Sequence, residues 1–191
     1  MPRAIPEMRL CGLSSSCYWH GKYESVYGMA TSSIADTKVP TSPPNSFLDE
    51  IGLAWPQPGS LGWRFVGALA IGAAIGAVIG LQTPDPVAAG WIVFASLLLW
   101  QPLIEELLFR GIIQGYLART ELGAREKAGV SLGNVATSSV FVLAHLINQP
   151  PAWALAVFFP SLLFGYFRDR TGSVWPSLLL HTSFNAAFFL S

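Results

Sequence analysis

Glu105 and Glu106 stand side by side in Gln101-Pro-Leu-Ile-Glu-Glu-Leu-Leu-Phe-Arg-Gly111, two carboxylates and a guanidinium within a stretch otherwise apolar enough to lie in a bilayer. An ionisable side chain at the bilayer centre costs about 2.5–3.5 kcal/mol on insertion scales, so such residues point to function or to a partner that offsets the cost. On a helix, Glu106 and Arg110 are four apart with the acid first, the better order for an ion pair. Glu105 lies about 100° further round the helix and has no such partner. The same spacing recurs twice, in Phe141 with His145 and in His181 with Asn185. Residues four apart share a helix face, so three helices can each aim a polar group at one interior point. Together these groups could hydrolyse a carbonyl bond. Glu105 with His145 would activate water and return a proton to the leaving amine. His181 and Asn185 would stabilise the oxyanion. Glu106 with Arg110 would orient the helix, and Phe141 would pack against the site.

The elements that must position these residues are hydrophobic helices. The 191-residue chain is 52% hydrophobic and 12% charged, with mean hydropathy +0.47, about half the charge of a soluble domain. An all-α, polytopic membrane bundle of about five transmembrane helices around a polar intramembrane site is the expected fold. Eleven basic and eleven acidic residues cancel, so no basic face suggests a nucleic-acid partner. Residues 1–59 are rich in Ser, Thr and Pro and read as a disordered or peripheral segment, with a short interfacial stretch at Phe47 to Trp55. Cys11 and Cys17 within it lack the spacing of a metal site or disulfide framework. Residues 60–191 form the membrane domain. Its expected spans are Leu61 to Leu81, Val87 to about Leu117 with a kink at Pro102, Val130 to Ile147, Trp153 to Phe167, and a last helix opened by Trp175-Pro176. Ala68, Gly72, Gly76 and Gly80 give the first span a small-residue stripe for helix packing, and Gly111 and Gly115 extend that spacing on the second. Basic residues concentrate in alternate loops, three after the second span and two after the fourth, which predicts a cytoplasmic N-terminus.

Glu-Glu-x-x-x-Arg, Phe-x-x-x-His and His-x-x-x-Asn follow one another on successive hydrophobic helices. With the flanking text Pro102 to Gly111, Ser138 to Leu146 and Gly172 to Pro176, residues 61–190 resemble the CPBP family of intramembrane endopeptidases, also called Abi or CAAX-protease-like proteins. The resemblance implies a helical membrane protease that cuts a peptide or membrane-protein substrate beside modified or hydrophobic sites. It places the catalytic glutamate at Glu105, the second acid at Glu106, the arginine at Arg110, the first histidine at His145 and the oxyanion pair at His181 and Asn185. The expected setting is the plasma membrane of a prokaryote, with the lipid bilayer as the other partner. No cofactor is expected. A zinc version would use Glu105, His145 and His181, but the His-Glu-x-x-His helix of common zinc proteases is absent. A non-catalytic membrane scaffold or bacteriocin-immunity protein is the alternative from another class. A transporter lacks support, since no internal repeat is visible.

Overall fold

The computed structural model describes residues 47–57, 59–81 and 91–190. The expectations for Cys11, Cys17 and the start of the second span at Val87 fall outside these residues. Helices dominate. Helix α1 (Phe47–Glu50) is a single turn, and α2 (Trp63–Gly80) is the first long helix. Apolar beyond Arg64 in its first turn, α2 turns its small-residue stripe to the last helix, α7 (Trp175–Phe189). The Phe184 ring lies directly on Gly72, where any β-carbon would overlap it, and Gly76 faces the Phe184 carbonyl and Ala187. Close backbone approach of this kind is what small residues permit between helices. Phe65, Phe164, Phe167 and Leu180 form the adjoining core.

A single long helix, α3, covers residues 91–117, but its middle is not regular α-helix. Two π-helical stretches, Ser96–Trp100 and Leu107–Gln114, flank an α-helical Gln101–Glu106. The disturbance expected at Pro102 thus takes the form of widened turns, which appear in helices as local insertions and often at functional sites.

After α3, strands β1 (Glu126–Lys127) and β2 (Val130–Ser131) pair antiparallel as a minimal hairpin, a small departure from the all-α expectation. Helix α4 (Leu132–His145) follows, capped by Ser131, whose hydroxyl accepts from the Asn134 N–H. The span expected from Trp153 to Phe167 is two helices, α5 (Pro151–Ala156) and α6 (Phe158–Thr171). Pro160 explains the break. It cannot donate within a continuous helix, whereas in the first turn of α6 its missing N–H leaves no ladder bond unmade. Gly172, at φ +67°, ends α6 in the left-handed conformation that glycine adopts readily. Helices Trp63–Gly80 and Ile92–Leu117 are long and apolar enough to cross a membrane, while α4 is apolar but shorter.

Residues 47–57 lie as a strap against the helical domain. The Val174 N–H and the Ser173 hydroxyl donate to the Gly52 and Ala54 carbonyls, and the Trp175 indole donates to Leu53. Trp55 stacks on Trp175 at 4.7 Å. Gly111 and Gly115, expected to extend a helix-packing stripe, instead admit the Ile51 and Glu50 carbonyls. Arg119 binds the Glu50 carbonyl and carboxylate.

Candidate active site

Glu106 and Arg110 are almost fully buried and face each other one turn apart on α3, with Arg110 Nε 3.3 Å from Glu106 Oε2. The contact is an ion pair, too poorly aligned to count as a hydrogen bond. Arg110 Nη2 also donates to the Ser161 carbonyl (3.1 Å) and hydroxyl (2.8 Å) on α6, and its guanidinium lies 5.4 Å from the centre of the Phe141 ring. One turn on, Gln114 donates to the Gly165 carbonyl and to Asp169. Gly165 has no room for a side chain because Asn134 of α4 fills that space, with its amide donating to the Leu162 carbonyl. Residues at four-residue intervals on α3, α4 and α6 therefore form a polar seam that fixes the rotation of all three helices. The site stands at one end of it.

His181 joins α7 to this cluster. Its Nδ1 is 2.9 Å from Glu106 Oε1, and its Nε2 is 3.7 Å from Glu105 Oε2. A carboxylate can only accept, so Nδ1 carries the proton. Phe164 stacks on the imidazole at 5.1 Å. The expected division between the acids survives in part. Glu106 belongs to Arg110, as expected, but it also holds His181. Glu105 is the more open acid, its side chain 17% exposed, and accepts from Gln101 Nε2 at 2.9 Å.

His145 ends α4 with Nδ1 2.9 Å from the Phe141 carbonyl. That pairing puts the proton on Nδ1 and leaves the Nε2 lone pair free to accept. Among the described residues no ion pair joins His145 to either glutamate. Phe141 stands between the histidines, its ring centre 4.3 Å from that of His145 and 6.2 Å from that of His181. The packing expectation for Phe141 thus has a definite form. Asn185 donates from Nδ2 to the Leu97 carbonyl at 3.0 Å.

Three participants had no place in the sequence reading. Gln101 could have been found, because it sits four residues before Glu105 on the same face. Ser161 and the Leu97 carbonyl could not, since no local pattern marks a hydroxyl or a backbone oxygen on a distant helix. Among the described residues no three His, Cys, Asp or Glu side chains are grouped as a metal site.

Chemically, the cluster offers one carboxylate engaged by cation and imidazole, one with a more open face, and one imidazole with a free lone pair. The protein is helical, carries exposed apolar side chains such as Ile71, Ile75, Ile92 and Leu99 along its two longest helices, and holds an ion-paired carboxylate–histidine cluster between helices. Residues 86–187, more than half of the chain, match the family described as Type II CAAX prenyl endopeptidase Rce1-like. The chain belongs to this family of membrane-embedded, CAAX-type proteases. No curated protein and no solved structure matches it.

Proposed function

We propose that the chain is a metal-free glutamic intramembrane endopeptidase in which Glu105 is the general base. The observation that carries this is the unequal occupation of the two acids. Glu106 is committed to Arg110 and, at 2.9 Å, to His181, whereas Glu105 accepts from Gln101, meets His181 Nε2 only at 3.7 Å and keeps an open face. Water held between Glu105 and the His145 Nε2 lone pair attacks the scissile carbonyl, and the proton it loses goes on to the leaving amine. His181 Nε2, on the side that faces Glu105, would donate to the oxyanion when it bears a proton. The substrate class we favour is a CAAX-type peptide tail or a membrane protein cut within or beside the bilayer.

The proposed membrane arrangement has five spans with the basic loops and the N-terminus on the cytoplasmic side. Helices of 14 or 15 residues rise only about 21–23 Å, so local bilayer thinning must accommodate the shorter ones.

The test is cleavage of an internally quenched, farnesylated CAAX peptide by purified protein in liposomes. Wild type should cut it, chelation should leave the rate unchanged, and Glu105→Gln should lower the rate about 10²–10⁴-fold, the usual worth of a general base. A folded Glu105→Gln variant that cleaves at the wild-type rate would refute the assignment. A wild type whose activity vanishes on chelation and returns with zinc would replace the metal-free mechanism. A cellular phenotype that survives both Glu105→Gln and His145→Ala would favour the scaffold or immunity reading.

A further inference from the structure

Asn185 lies one turn beyond His181 on α7, yet its amide is engaged with backbone rather than turned wholly to the site. The backbone of α3 explains why. In an α-helix the Leu97 carbonyl would accept from residue 101. Here the Gln101 N–H bonds to the Ser96 carbonyl instead, one residue further back, in the π pattern. The next donor in that pattern would be residue 102 reaching back to Leu97. Residue 102 is proline and has no N–H. The Leu97 carbonyl has therefore lost both of its possible ladder donors, and a carbonyl left unmet in apolar surroundings is costly.

We infer that Asn185 is a positioning residue: its amide caps the carbonyl orphaned by Pro102 and thereby locks the turn that leads into Glu105 and Glu106 onto the helix that carries His181. Pro102 precedes the two acids by three and four residues, so rotation of this turn moves both carboxylates. Asn185 and His181 are held in register by α7 itself. One side-chain bond thus sets the acids against the imidazole. The inference rests on the reading of Glu105 as the base only for its effect on rate. The capping itself stands apart from that reading.

The test is a cycle of four purified proteins: wild type, Asn185→Ala, Pro102→Ala and the double variant. Each is followed by thermal unfolding in detergent and by kcat and KM on the quenched farnesylated CAAX peptide. Alanine at 102 restores an N–H, so the Leu97 carbonyl regains a donor whether the turn stays π-helical or closes to α. Asn185→Ala alone should lower the unfolding temperature and reduce kcat about tenfold with little change in KM, the rate equivalent of one lost buried hydrogen bond. Made in the Pro102→Ala background, the same change should cost less than about twofold, the coupling expected of residues that share one partner. Equal losses in both backgrounds would overturn the inference and return Asn185 to the oxyanion. Should Asn185→Ala fail to fold, Asn185→Ser takes its place in the cycle. If no protein in the set cleaves the peptide, the protease reading fails, while the unfolding temperatures still decide whether Asn185 caps Leu97.

Discussion

Replacing Arg110 by Met separates the role of the buried ion pair from that of the chemistry. Methionine retains much of the aliphatic volume, so the substitution removes charge and hydrogen bonds with little cavity. Lost with the guanidinium are the 3.3 Å contact to Glu106, the two bonds to Ser161 and the contact with the Phe141 face. Glu106, about 1% exposed, would keep only His181 as a donor. Removing one partner of a buried pair costs about 3–5 kcal/mol because the remaining charge is left uncompensated. At roughly 2–4 °C per kcal/mol for a domain of this size, the unfolding temperature should fall on the order of 10 °C. Tryptophan fluorescence of protein heated in detergent micelles would follow the transition. The companion variant Glu106→Gln/Arg110→Met removes both charges and should recover most of the loss. A single variant that loses less than about 1 kcal/mol, or a double variant no more stable than the single, would refute the view that the pair makes the burial of Glu106 tolerable.

Two further outcomes follow from packing and from charge. Gly72→Ala places a methyl group in the Phe184 ring and should destabilise by about 1–3 kcal/mol, whereas Gly67→Ala, with open space around it, should be neutral or slightly stabilising; thermal unfolding of the pair distinguishes packing from helix propensity. Asp169 lies in the polar last turn of α6, beyond the apolar stretch, and burial pushes its carboxyl above the ordinary range against the hydrogen bonds from Ser131 and Gln114. The folded state then holds the proton more tightly than the unfolded state, so this group's contribution is most favourable below the unfolded pKa and is lost as pH rises through the folded pKa. Asp169→Asn should flatten that slope in melting curves recorded across pH, and an unchanged slope would show that another group sets it.

Much of this arrangement was legible because helical spacing is periodic and intramembrane charge is costly. Glu106 with Arg110 could be read directly, since both lie on one helix four residues apart. The small-residue stripe through Gly72 and Gly76 could be read too, although not the identity of Phe184 as its partner. What escaped was tertiary. That Glu106 would hold His181 depends on the depth at which α7 crosses α3, and spacing within one helix carries no such information. The widening around Pro102 escaped because proline announces a missing donor without saying whether the helix bends or inserts a residue. The break at Val157 hid within an apolar run whose composition favours one continuous span, where Pro160 was the only local sign. The role of Gly111 and Gly115 was misjudged for a related reason. Small residues announce close approach but not which backbone approaches.

The strap has a consequence in time as well as space. Its anchors, Ser173 and Trp175, are 119 and 122 residues later in the chain than the carbonyls they bind. At about 5–20 residues per second, a ribosome takes roughly 6–24 s to supply them. Residues 47–57 are synthesised before every helix they lie against, yet can take up their final place only after the start of α7 has emerged. Seating of the strap therefore marks completion of the helical domain, and a nascent chain stopped short of Ser173 has no surface on which these bonds can form.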